Sequence, residues 1–263
     1  MADVSALLDD FTAECADLEH LVAPLAPADW ATPTPAEGWT IAHQIAHLAW
    51  TDEVSVVAAT DADGFAALLA EAAPKAFTFV DEAAEEGAKT PPADLLARWQ
   101  AGRAALVAAL AAVPHGTKLP WFGPPMSPAS MISARIMETW AHGQDVADAL
   151  GVTRTPTARL RTVAHISVRT RNFAYSVRGE NGPTEEFRVE LTAPDGSPWT
   201  WGPEDAPQRV TGPALDFCLV ATQRRHRDDT ALRTSGPDAE HWLSIAQAFA
   251  GPPGTGRAAG QFA

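Results

Sequence analysis

Two short segments carry side chains whose types and spacing suit a metal ion. The segment ETWAHGQD places Glu138 and His142 four residues apart, and GWTIAHQIAHLAW places His43 and His47 four residues apart. On an α-helix, residues four apart lie on one face, so Glu138 and His142 can direct two ligand atoms at one ion. His47, on a different helix, can complete the set.

A plainer interpretation of the second segment competes with the metal site. Arg135, Glu138, His142 and Asp145 fall within an arc of about 80° on a helix over 128–150, and this arc can simply face solvent. The helix carries only four formal charges, however, which indicates that most of it is buried. Buried charge is tolerated when it is paired or bound to metal. Spacing alone leaves both interpretations open.

Cysteine chemistry and the common catalytic motifs are not encoded. Cys15 and Cys218 are the only cysteines, they lie far apart, and we expect both to be small core residues. The sequence contains no GxSxG, Walker loop, HExxH, or GxGxxG that opens a helix after a strand. A metal would therefore use histidine and carboxylate ligands.

The overall charge argues against a nucleic-acid or membrane partner. The formal net charge is −14 and the pI is near 4.9, so phosphate backbones and anionic lipid surfaces are repelled on average. The N-terminal segment lacks the features of a secretory signal, and no apolar run approaches the roughly 20 residues of a membrane helix. We expect a cytoplasmic protein.

Hydrophobic periodicity predicts a mainly α fold in two domains. Apolar residues at three-and-four spacing predict four principal helices and shorter helical pieces around 62–87. Beyond Gly151, a helix leads into FRVELTAP and PWTWG, which have the texture of strands, and further helices follow. We predict a four-helix bundle over 1–153 and a smaller α+β domain over 154–263, with a loose C-terminal tail.

The two histidine segments carry a resemblance to a known family. GWTIAHQIAHLAW and ETWAHGQDVADALG resemble the metal-binding domain of mycothiol-dependent maleylpyruvate isomerase, a member of the DinB-like four-helix bundles. The resemblance implies that His47, Glu138 and His142 are the metal ligands. It places His43 one turn before the first ligand and off the metal, and Asp145 behind the ligands, where it would orient a histidine or water.

The second half of the chain resembles the family only loosely. The stretch from Pro183 onward, including TGPALDFCLVATQRR, is similar to the family's α+β domain in outline. The final helices are also faintly similar to a small domain named after wyosine-forming enzymes. The acidic net charge argues against a tRNA partner for that domain.

The family resemblance implies a thiol-handling metalloenzyme. Three protein ligands leave a coordination position open, which suits a catalytic zinc, although non-haem iron also fits. Mycothiol or a similar small thiol would be the cosubstrate of a transferase or isomerase that acts on a small electrophile, and a homodimer is possible. Anionic substrates need cations, and the candidates are Arg135, Arg169, Arg171, Arg224 and Arg225. We expect the arginines beyond Gly151 to approach the metal.

Two other functions fit the same residues. A bundle of this type can serve as a non-catalytic metal-binding or regulatory protein, because a fold does not specify a reaction. A metal-bound water would instead give a hydrolase that needs no thiol. Thiol dependence separates these alternatives from the first.

Overall fold

The computed structural model describes residues 3–75 and 78–262 and divides the chain into two compact units, Met1–Arg154 and Thr155–Ala263. The first unit is helical and contains four long helices, as predicted. These are α1 (Val4–Val22), α2 (Ile41–Thr60), α5 (Pro92–Ala112) and α6 (Pro128–Leu150), with the shorter α3 (Ala62–Ala72) and α4 (Phe79–Ala88) between α2 and α5.

Local sequence signals explain where the long helices begin and end. The Asp3 side chain accepts hydrogen bonds from the backbone N–H groups that start α1, and Ser127 does the same for α6. Pro128 follows as the first residue of α6, where its missing N–H is not needed. Gly151 ends α6 in the left-handed conformation, at a φ of 66°.

Helix α2 lies at the centre of the first unit. It packs on α3, α4, α5 and α6, while α1 packs on α5 and α6. A helix surrounded on all sides is expected to be apolar around most of its circumference, and the residues of α2 that face its neighbours include Ile41, Ile45 and Leu48. The polar residues His47 and Asp52 are also buried on α2, so each needs a partner from another element.

A buried ion pair joins α2 to α6. Arg135 Nε donates to Asp52 Oδ1 at 3.0 Å, and the two residues are 2% and 0% exposed. Burial raises the pKa of Asp52, and the nearby Arg135 guanidinium acts in the opposite direction. The pair lies five residues after His47 on α2 and three residues before Glu138 on α6, so it holds the two candidate ligand helices in register.

The second unit is an α+β fold with a four-stranded sheet. Its elements are α7 (Leu160–Arg169), α8 (Arg171–Ser176), β1 (Phe187–Thr192), β2 (Pro198–Trp201), β3 (Gln208–Pro213), α9 (Ala214–Ala221), β4 (Arg233–Ser235) and α10 (Pro237–Ile245). The strand order is β2-β1-β3-β4; β1 and β3 are parallel, and the other pairs are antiparallel. Trp242 of α10 packs against Phe187 and Phe217 beneath the sheet.

Most of the predicted elements are confirmed, including the strands in FRVELTAP and PWTWG. The sequence did not indicate β3 or β4, because both carry almost no apolar alternation and β4 is only three residues long. The predicted tail contains no helix or strand over 251–262 and is mostly exposed. Near its end the Gly260 N–H donates to the Asp229 carboxylate, and the Arg225 guanidinium lies 4.2 Å from the centre of the Phe262 ring. Within the described ranges, we find no helix with the length and apolar character needed to cross a bilayer.

The buried ion pair of Asp52 and Arg135 leads to a prediction about the stability of the fold. Replacing Arg135 by methionine leaves the Asp52 carboxyl buried without its cation, which should lower the free energy of unfolding by about 3–5 kcal/mol. Urea denaturation of the full chain, followed by circular dichroism, measures this change. The double variant Asp52→Leu/Arg135→Met should recover most of the loss, because it buries neither group. A single variant with the parent's transition midpoint would contradict the assignment.

Candidate metal centre

Three side chains from α2 and α6 converge on one point. His47 Nε2 lies 3.1 Å from Glu138 Oε2, and His142 Nε2 lies 3.3 Å from the same oxygen. The ring centroids of the two histidines are 4.5 Å apart. Each residue offers one ligand atom, and the three atoms lie within 4.8 Å of one another. Among the described residues, this is the one group of three His, Cys, Asp or Glu side chains whose ligand atoms lie this close together.

The donor set fits a divalent ion. Bonds of about 2.0–2.1 Å to imidazole nitrogen and carboxylate oxygen place the ligand atoms of a tetrahedral zinc site roughly 3.3 Å apart. The separations from Glu138 to His47 and to His142 match that value. The two imidazoles are borderline donors and the carboxylate is a hard one, a mixture that suits zinc and also iron.

The environment keeps the Glu138 carboxyl ionised. Burial acts to raise its pKa, but the hydrogen bonds with His142 and His47 outweigh burial and hold the pKa well below its usual range. The side chain is 21% exposed, so the group is shielded without being sealed from solvent. A carboxylate that is ionised at neutral pH is what a cation needs at this point.

Aromatic rings line the histidines. The Trp39 indole stacks on His142, with ring centroids 5.8 Å apart and planes at 17°, and lies 5.4 Å from His47. Its Nε1 donates to Asp81 of α4 at 3.2 Å. Trp50, one turn after His47, lies 6.3 Å from that ring. The tryptophan of the GWT segment therefore belongs to the site, a role that the sequence did not assign.

His43 lies at the start of the helix that carries His47. It occupies the third position of α2 and forms a capping box with Thr40, whose backbone N–H donates to His43 Nδ1 at 3.2 Å. Its place beside the metal ligands, off the metal, stays a prediction. Its Nε2 lies 2.9 Å from Glu85 Oε2. His43 therefore starts the helix that carries His47 and ties it to α4.

Gln44 is the functional residue that sequence reasoning missed. Its Oε1 lies 2.5 Å from His142 Nδ1, the position predicted for a group that orients a ligand. Gln44 precedes His47 by three residues on α2, so its helical spacing was a usable signal. Asp145, for which that role was predicted, is fully buried one turn after His142. Its role in orienting a histidine or water stays a prediction.

Two of the predicted substrate-binding arginines, Arg135 and Arg171, have defined structural partners. Arg135 is buried against Asp52, a placement that favours a role in helix packing. In the second unit, the Arg171 guanidinium lies 4.1 Å from the centre of the Phe187 ring and donates to the carbonyls of Pro183 and Glu185. Substrate contact by these residues stays a prediction, as it does for Arg169 at the end of α7 and for the adjacent Arg224 and Arg225.

A family model matches the part of the chain that carries the three candidate ligands. The sequence model of the mycothiol maleylpyruvate isomerase N-terminal domain matches residues 11–147, which is more than half of the chain. The chain belongs to this family. The matched range contains His47, Glu138 and His142. A second model, described as wyosine base formation, matches residues 183–235. This range spans the sheet and α9, one of the two final helices where we expected the similarity, and it ends before α10.

The chain is also similar to two curated relatives and to two solved structures. Two uncharacterized proteins, from two strains of Mycobacterium tuberculosis, are 58% identical over 258 residues, which cover 98% of this chain and 100% of each relative. Two crystal structures of the mycothiol-dependent maleylpyruvate isomerase, one of them a histidine-to-alanine mutant, align with a TM-score of 0.60 at 18% and 17% identity. They cover 89% of this chain and 93% of that protein, which confirms the mainly α, DinB-like fold.

The cysteines make a prediction about reactivity. Cys15 and Cys218 are both fully buried, as expected, and burial raises the pKa of both thiols. Both should react very slowly with Ellman's reagent in the native protein and rapidly after unfolding in guanidinium chloride. Rapid reaction of either thiol in the native state would show that the chain itself carries an accessible thiolate.

Proposed function

We propose that this protein is a metal-dependent enzyme that joins a small thiol, mycothiol or a close analogue, to a small electrophile in a transfer or isomerisation reaction. The observation that carries the proposal is the convergence of His47, Glu138 and His142 within 4.8 Å. Membership of the mycothiol maleylpyruvate isomerase family supports the choice of thiol. Zinc is the first choice of metal.

The three ligands determine the net charge of the proposed metal centre. Two neutral imidazoles and one carboxylate leave a divalent ion with a net charge of about +1, which favours an anionic thiolate at the open position. When bound, such an ion holds a thiol as thiolate at neutral pH. The chain's own part is to keep Glu138 ionised and both imidazole nitrogens directed at the same point.

The surrounding residues limit what else can happen at the site. Trp39 covers one side of both histidines, and Trp50 lies beside His47, so these apolar faces reduce the access of bulk water. The two cysteines are buried and hard to ionise, so the reacting sulfur must come from a separate molecule. Both features favour an external thiol over a protein nucleophile.

The arginines of the second unit remain the proposed partners of an anionic substrate. Because Arg135 is engaged by Asp52, cationic contacts must come from elsewhere, and Arg169, Arg171, Arg224 and Arg225 are the candidates. A cytoplasmic location and a homodimer also stay predictions. Maleylpyruvate is one candidate electrophile among small unsaturated acids.

A thiol-dependence assay tests the proposal. Zinc-loaded protein is incubated with a panel of electrophiles that includes maleylpyruvate, in the presence of mycothiol, of glutathione or of no thiol. We expect turnover only with thiol, loss of turnover after chelation, and recovery when zinc is restored. Turnover without thiol would favour the metallohydrolase. Metal binding without turnover of any electrophile would favour the non-catalytic protein.

Paired glutamate variants sharpen the assay. Glu138→Gln keeps the shape of the side chain but removes its charge, and it should lower turnover by more than about 100-fold. Glu53→Gln is a matched control, since Glu53 lies on the same bundle and pairs with Arg98. Equal turnover by both variants would contradict a role for the Glu138 carboxylate.

A further inference from the structure

A chain of hydrogen bonds leads to Nδ1 of His142, the ring nitrogen that does not face Glu138. His142 Nδ1 lies 2.5 Å from Gln44 Oε1, and Gln44 is fully buried. Gln44 Nε2 donates to Thr34 Oγ1 at 2.9 Å. Thr34 Oγ1 donates in turn to the Trp39 carbonyl, also at 2.9 Å. We refer to Thr34, Gln44 and His142 as the relay.

The donors and acceptors of the relay permit one direction only. The single hydroxyl proton of Thr34 is given to the Trp39 carbonyl, so Thr34 Oγ1 can only accept from Gln44. The group of Gln44 that faces Thr34 must then be the NH₂, which turns the carbonyl oxygen towards His142. Because this oxygen only accepts, His142 Nδ1 must carry a proton.

The relay therefore determines whether the other ring nitrogen of His142, Nε2, has a free lone pair. When the ring carries a second proton, its Nε2–H donates to Glu138 Oε2 at 3.3 Å, which is the hydrogen bond described above. In the neutral ring only one nitrogen is protonated, so the proton on Nδ1 leaves a lone pair on Nε2 that faces the same oxygen. Two electron-rich atoms held this close repel each other unless a cation lies near both, and a metal ion can take the place of the second proton.

We propose that Gln44 is a positioning residue that selects the Nδ1-protonated form of His142 and so prepares Nε2 as a metal ligand. Thr34, in the loop that ends at Trp39, fixes the direction of the Gln44 amide. The metal part of this inference rests on the proposed function, whereas the choice of protonated nitrogen does not. Partners that orient a ligating histidine in this way typically change metal affinity by 10- to 100-fold when they are removed.

His47 provides an internal comparison. Its Nδ1 is buried and has no hydrogen-bond partner among the described residues. No side chain therefore selects the protonated nitrogen of His47 from behind. Changes at Gln44 should alter the protonation pattern of His142 and leave that of His47 unchanged.

Two readouts test the role of Gln44. In metal-free protein at a pH where both rings are neutral, ¹⁵N NMR of the histidines distinguishes Nδ1-protonated from Nε2-protonated rings. We expect His142 to be Nδ1-protonated in the parent and to shift towards the Nε2-protonated form in Gln44→Leu. Zinc affinity, measured by competition with a chromophoric chelator, should fall about 10- to 100-fold in Gln44→Leu.

Conservative and matched variants separate positioning from packing. Gln44→Glu keeps an acceptor oxygen towards Nδ1 and should retain the parent's protonation pattern and zinc affinity. Thr34→Val removes the partner of the Gln44 amide and should cause a smaller change in the same direction. Gln144→Leu is the control, because Gln144 is also buried, lies on α6 beside His142 and donates to Asp148 Oδ1. It should match the parent in both readouts.

The outcomes are distinguishable. The inference is overturned if Gln44→Leu keeps the Nδ1-protonated ring, or if Gln144→Leu weakens zinc binding as much as Gln44→Leu does. If the parent binds no metal but its His142 pattern depends on Gln44, the proposed function fails while the positioning role stands. If Gln44→Leu does not fold, Thr34→Val decides: an unchanged His142 pattern overturns the inference, and a shifted pattern supports it.

Discussion

The Glu138 carboxylate lies between two imidazoles that come from different helices, and the first unit is built around this contact. A charged oxygen at this depth needs positive or hydrogen-bonding partners on several sides. The chain meets that need by holding α2 and α6 in one register, which the buried pair of Asp52 and Arg135 secures a turn away. A small shift of either helix would separate His47 from Glu138 and leave the carboxylate with His142, on its own helix, as its remaining imidazole partner.

The loop before α2 also contributes to the site, although all three candidate ligands lie on helices. Trp39 stacks on the ring face of His142, and Thr34 orients Gln44, whose Oε1 lies beside Nδ1 of the same ring. One loop therefore constrains both the ring plane and the Nδ1 nitrogen of His142. His43 caps α2 and joins it to α4 through Glu85. The GWT segment and the histidine pair are therefore parts of one arrangement that starts α2 and aims its ligands.

Features that depend on local periodicity or on the family resemblance could be predicted from the sequence. Glu138 and His142 share a helix face at four-residue spacing, and the resemblance supplied His47 from another helix. Features that depend on tertiary contacts were not predictable: the direction of the Gln44 amide, the pairing of Arg135 with Asp52, and the packing of Phe262 under Arg225. Strands with few apolar residues, such as β3, are specified by their neighbours in the sheet, and their own residues carry little signal.

Metal binding by defined ligands is the most direct test of this account. Metal-free protein is loaded with zinc, and the bound metal is measured by elemental analysis and by competition titration for the parent, His142→Ala and His43→Ala. The account predicts about one zinc per chain, an affinity loss of more than about 100-fold for His142→Ala, and little loss for His43→Ala. A parent that holds well under half an equivalent of any transition metal, or a His142→Ala variant that binds as tightly as the parent, would contradict it.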